Sequence, residues 1–209
     1  MVLSDHGMAT TLRQGQPVGL TETERPDLTR FASLEPDGTI VLDLRGFAPR
    51  NEQDSDAVCA MLVAALNDKG GNLTLLGRGQ ADEDCVITDG ERRLGIQVVR
   101  ALTDPTSWAR LARTGDVSLH VTVADAVRAL KAAIEHKAAA IPPSQRPSLI
   151  LALDSFRLPA LALGPVVAEF RTNLSAWTRA LGFRAVFVVG PESNFVARLD
   201  APETQLWWV

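Results

Sequence analysis

Apolar positions along the chain change their period several times, and each change marks an element. Ile40-Val41-Leu42-Asp43-Leu44 is a short apolar run between Pro36-Asp37-Gly38 and Arg45-Gly46, which predicts a strand. From about Asp54 to Asn67 the period lengthens. Val58, Met61, Leu62, Ala65 and Leu66 recur at helical spacing, Asp54, Ser55 and Asp56 suit the first turn, and Gly70-Gly71 ends the helix. Three strands are predicted next, Leu73 to Leu76, Asp84 to Thr88 and Leu94 to Arg100, with Asp89-Gly90 as a hairpin signal between the last two.

A short helical piece starts at Asp104-Pro105, carries Trp108 and Leu111, and closes at Gly115. The stripe Val123, Ala126, Val127, Leu130, Ile134 and Ile141 predicts a longer helix from Thr122 to about Ala140, stopped by Pro142-Pro143. Leu149 to Leu153 is wholly apolar, the pattern of a strand covered on both faces. Pro165 opens a helix whose stripe is Val166, Val167, Phe170, Leu174, Trp177 and Leu181, closed by Gly182. Ala185 to Val189 and Phe195 to Leu199 are the last strands. Residues 1–30 are polar and broken by Gly15, Pro17, Gly19 and Pro26, and read as a flexible tail; residues 31–209 read as one domain. Strands alternating with helices make it an α/β domain with a mixed central sheet flanked by helices.

Composition narrows the functional classes. A net charge of −4 gives no global attraction to nucleic acid or to an anionic membrane, so any phosphate contact must come from a local patch. No apolar run approaches the roughly eighteen residues of a membrane span, and the first residues lack a secretion signal. The expectation is a cytoplasmic protein without a membrane partner. Cys59 and Cys85 are too few to staple a chain of this length, and are expected as buried thiols in a reducing compartment. Lysine is scarce: Lys69, Lys131 and Lys137 are the only ones, and the other eighteen basic residues are arginine.

Most enzyme templates fail. His6, His120 and His136 lie far apart, and the chain has no nucleophile elbow, no phosphate-binding P-loop and no C-x-x-C. Gly77-Arg78-Gly79 is better explained as a turn than as an anion cradle. The segment that stands out is Asp82-Glu83-Asp84 leading into a strand, followed after a tight turn by Leu94 to Arg100, where the polar Gln97 interrupts an apolar run. Alternation puts Gln97 and Val99 on one face of that strand. If Asp84 and Gln97 lie on neighbouring strands, a carboxylate and an amide oxygen meet around one cation, a donor set suited to Mg²⁺ with its retained waters.

On these residues the chain resembles the PD-(D/E)XK nuclease superfamily, whose fold is the restriction-endonuclease-like core. The likeness covers the element order from about residue 54 to 153. It implies a Mg²⁺-dependent hydrolase, a phosphodiesterase or nuclease acting on DNA or RNA. Asp84 stands at the family's aspartate and Gln97 at the first position of its triplet, where glutamine is an accepted variant, with Glu83 or Asp82 as a further metal ligand. Glu52 or Asp54 is a candidate for the acidic residue some members carry on the first helix, although capping explains Asp54. Val99 occupies the lysine position, a serious departure, because the missing ammonium orients water and stabilises developing charge. Lys137, near the middle of the long helix's apolar stripe, is the candidate replacement; its plainer role is to reach water and complement the helix dipole. Arg92, Arg93, Arg100, Arg110 and Arg113 are the local patch for DNA or RNA, and Trp207-Trp208 a stacking surface for a base or a partner.

The same residues support a non-catalytic version: a degenerate relative that keeps the fold as a nucleic-acid or protein binding module, or a homo-oligomer. A looser likeness is to the STAS domain of anti-sigma factor antagonists, carried by residues 40–46, Asp54-Ser55 and Leu73 to Leu76. It implies a phosphorylatable regulatory protein with Ser55 as acceptor, and leaves the Asp84 to Arg100 hairpin unexplained.

Overall fold

The computed structural model describes residues 2–5, 8–11, 18–21, 28–46, 51–79, 83–159, 162–190 and 195–201. Five strands come first: β1 (Val2–Asp5), β2 (Met8–Thr11), β3 (Val18–Thr21), β4 (Leu28–Leu34) and β5 (Ile40–Gly46). Then follow α1 (Asn51–Asp68), β6 (Thr74–Gly77), β7 (Cys85–Thr88), β8 (Arg93–Arg100), α2 (Pro105–Thr114), β9 (Asp116–Val121) and α3 (Val123–Ala140). The chain continues with β10 (Leu149–Asp154), α4 (Leu163–Ala180), β11 (Ala185–Val189) and β12 (Val196–Arg198).

The central sheet is mixed, as the alternation of elements predicts, with strand order β12-β11-β10-β8-β7-β6. β6, β7 and β8 form an antiparallel meander, β8, β10 and β11 run parallel, and β12 returns antiparallel on β11. Its centre is β10, all six residues of which are buried. Successive residues there face opposite layers. Ile150 and Ala152 join α1 through Val58, Leu62 and Leu66, while Leu149, Leu151 and Leu153 join α3 and α4 through Leu130, Ile134, Val166 and Phe170. A helix on each face is what lets an uninterrupted apolar strand exist.

A second sheet was not expected. β5 lies between β4 and β9, antiparallel to both, with β3 outside β4. Its inward residues Leu42, Leu44, Val117 and Leu119 join the same apolar cluster as α2 and α3. The signal for β9 was present in the strict alternation from Asp116 to Val121, which the structure buries at every second residue. β1 pairs with β2, and β3 with β4, within and beside the first thirty residues.

Two helices, α2 and α3, start where polar side chains satisfy free N–H groups. Asp104 caps α2 by accepting from Thr106 and Ser107 N–H, and Gly115 ends it with a positive φ of 70°. Thr122 and Asp125 form a reciprocal capping box on α3, Thr122 Oγ1 accepting from Asp125 N–H and Asp125 Oδ2 accepting from Thr122 N–H. The Thr122 hydroxyl, the largest influence, and then its N–H hold the Asp125 carboxyl below its ordinary range.

Leu151→Ala, in the middle of β10, lowers unfolding free energy by about 2–5 kcal/mol in denaturant titrations, because the α3 and α4 layer closes only partly over the void. Thr122→Ala costs about 1 kcal/mol at neutral pH. Because the folded carboxyl of Asp125 is depressed, its contribution is complete above its unfolded pKa and lost as pH falls through the folded one; the Thr122→Ala penalty therefore shrinks below about pH 4.

Candidate functional site

Asp84 lies one residue before β7, yet the meander's pairing extends to it: its N–H donates to Ile96 C=O at 3.0 Å. The next N–H of β8 directed to that side belongs to Val98, past the start of β7, where among the described residues no strand carbonyl accepts it. Asp84 Oδ2 does so instead, at 2.7 Å, and the same oxygen accepts from Gln97 Nε2 at 2.5 Å. Asp84 and Gln97, 13 residues apart, are thus side by side on neighbouring strands. Gln97 is only 8% exposed, on a sheet face otherwise given to apolar packing. A buried amide of this kind requires a partner, and the carboxylate supplies it.

The face is set by register. Gln97 pairs with Leu151 and Val99 with Leu153, so both point to the layer of α3 and α4. Val99 is buried in that apolar cluster, so the position at which the resemblance expects an ammonium is a core position. Glu83 leans the other way along β8. Its side chain lies over Gly95, where an added Cβ would come within 2.8 Å of Glu83 Cγ, and its Oε2 accepts from Arg93 at 3.0 Å. Glu83 is therefore held by an arginine. Lys137 is half-buried in the last turn of α3, its C=O accepting from Ile141 N–H, and among the described residues no hydrogen bond or ion pair joins it to Asp84 or Gln97. Among the described residues no group of three or more His, Cys, Asp or Glu is arranged to hold a metal. Asp82, His6, Trp207 and Trp208 lie outside the described residues, and nothing is described of the Glu52 and Asp54 side chains.

The expected arginine patch is divided. Arg92 pairs with Asp89 at 3.4 Å and Arg93 with Glu83. Arg100 lies on the opposite face of β8 from Arg93, where its Nε reaches Asp154 Oδ2 at 3.4 Å. Arg110 and Arg113 are exposed on α2. The Arg100–Asp154 pair was missed in the sequence; its signal was a carboxylate ending an otherwise apolar strand. Asp154 is 1% exposed and also accepts from Phe156 N–H at 2.9 Å. A separate polar cavity of about 310 Å³ lies between the starts of α2 and α3, lined by Thr103, Asp104, Ser107, Ser118, His120 and Asp125. Both of its carboxylates are engaged as helix caps.

The cysteines correct the expectation of free thiols. α1 crosses β7 closely enough that Cys59 and Cys85 are joined in a disulfide, both sulfurs in the apolar cluster beneath α1. The strand–helix–strand unit of the STAS likeness is not made, because β5 and β6 belong to different sheets. Ser55 is the fifth residue of α1, inside the helix and not at its cap. Compared with family models, curated proteins and solved structures, the chain matches none. Among the described residues no helix is long and apolar enough to cross a membrane.

The geometry of Asp84 makes it structural whatever else it does. Asp84→Ala leaves the Gln97 amide and Val98 N–H without their acceptor and lowers stability by about 1–3 kcal/mol, whereas Asp84→Asn keeps one acceptor oxygen and loses less. Denaturant titration of the two variants checks the order.

Proposed function

We propose that this chain is a divergent member of the PD-(D/E)XK nuclease superfamily, a Mg²⁺-dependent phosphodiesterase acting on DNA or RNA. The observation that carries the reading is the contact between Asp84 and Gln97 across β7 and β8. The order of α1, the β6-β7-β8 meander, α3 and a β10 parallel to β8 supports it.

The donor set fits a hard cation of low protein coordination. Mg²⁺ takes one or two carboxylates and keeps its waters, and Asp84 with the Gln97 oxygen meets that requirement. Gln97 now turns its NH₂ toward Asp84, so holding a cation calls for the amide to rotate and present its oxygen. When bound, the cation would polarise a phosphoryl oxygen and lower the pKa of a water. The chain's own part is to hold the carboxylate in register through Val98 N–H and to exclude water on the Gln97 side with Leu151 and Val99. Lys137 is the residue proposed to supply the ammonium that Val99 does not.

A second reading is favoured by a specific observation. Val99 is packed in the core and Asp84 Oδ2 already accepts two hydrogen bonds, an arrangement stable without a cation. On that reading the domain binds nucleic acid or protein and does not cleave.

Cleavage of single- and double-stranded DNA and of RNA with Mg²⁺ or Mn²⁺ separates the two. The nuclease reading expects slow cleavage by the wild type, reduced about 10²-fold or more in Asp84→Asn and in Lys137→Ala. Cleavage that survives Asp84→Asn overturns the metal site. Nucleic acid bound but left uncut by the folded wild type selects the binding module.

A further inference from the structure

Asp84 is followed directly by Cys85, the first residue of β7, and Cys85 is joined to Cys59 in the middle of α1. The two cysteines are 2% and 0% exposed, among Val58, Leu62, Ile87 and Ile96. We infer that this disulfide is a redox device that sets the position of the Asp84 carboxylate. It tethers to α1 the residue next to a carboxylate held by two hydrogen bonds of 2.5 and 2.7 Å.

Reduction consumes two electrons and two protons from a dithiol: the sulfur–sulfur bond breaks, two cysteine thiols form, and the dithiol leaves as a disulfide. Two thiol sulfurs in van der Waals contact lie about 1.5 Å farther apart than two bonded ones. A close-packed interior passes such a displacement on and does not absorb it. The two sides are unequal in their capacity to move. α1 has 18 residues and packs on the sheet through Val58, Leu62, Val63 and Leu66, whereas β7 has four residues and Asp84 immediately precedes it. The start of β7 therefore shifts. Hydrogen bonds to Asp84 Oδ2 lengthen, because they depend steeply on distance and angle.

Both redox states fold. Reduced cysteines behave as small apolar residues and suit the cluster they occupy. The chain has two extensive apolar clusters and does not depend on a staple as a small domain does. Thiolate attack on the buried bond needs the start of β7 to lift from α1, a local opening of the kind short strand ends undergo. The consequence for metal binding rests on the function proposed above; the shift of the carboxylate does not, and the experiment reads that shift alone.

Amide hydrogen exchange is measured on the full chain, oxidised and after dithiothreitol, with both cysteines confirmed as thiols by titration under denaturing conditions. Val98 N–H, which donates to Asp84, exchanges about tenfold faster or more in the reduced protein, while the β10 amides change by less than about twofold. The Cys59→Ala, Cys85→Ala double variant exchanges like the reduced form with or without reductant. Unchanged exchange at Val98 in a protein with both thiols titrated overturns the inference. Equal acceleration at Val98 and throughout β10 also overturns it, because it marks a staple of the whole domain.

Discussion

Burial of both faces of β10 is the constraint on which the rest of this structure depends. A strand with six buried residues can exist only if its neighbours satisfy its backbone and a layer covers each face. β8 and β11 pair with it in parallel, and parallel pairing requires crossovers that lay their helices on the sheet. α4 is the short crossover between β10 and β11. The longer one, between β8 and β10, contains α2, β9 and α3, and it brings β9 to β5. The second sheet is therefore attached through the crossover, and its apolar face joins the cluster that already covers Leu151 and Leu153.

Against this apolar frame, the buried side chains of Gln97, Asp154 and Asp200 each have a nearby partner, whereas Trp108 Nε1 has none among the described residues. Gln97 is held by Asp84, and Asp154 by Arg100 and Phe156 N–H. Asp200 accepts from Val186 N–H and from Arg198, which fastens β12 against β11. An unpaired amide or carboxylate at these depths would cost several kcal/mol, so the pairs are conditions of folding before they are anything chemical. This is why the Asp84–Gln97 contact is compatible with both proposed readings, with a cation and without one. One oxygen of Asp84 takes up both the Gln97 amide and the Val98 N–H where the β7–β8 pairing begins.

The lysine inventory also takes its meaning from packing. Val99 opposite Leu153 contributes to the layer beneath α3 and α4, and an ammonium there would have to displace that contact. Any cation acting near Asp84 must come from another element. Arg93 is engaged by Glu83, and Arg100 serves the opposite face; Lys137 on α3 is the source proposed above.

Read alone, the amino-acid order determined the elements with strong periodicity: the helices at 54–67, 122–140 and after Pro165, the buried strand at 149–153, and the hairpin at Asp89-Gly90. These depend on neighbours within a turn or a pleat, so local pattern suffices. It also marked Asp84 and Gln97, because a polar residue in an apolar strand stands out wherever the strand goes. It did not reveal β4 and β9 as partners of β5, the pairing of Cys59 with Cys85, or the contact of Arg100 with Asp154. Those depend on residues brought together from distant positions, and the return of β9 to β5, the register of β8 on β10 and the crossing of α1 over β7 decided them.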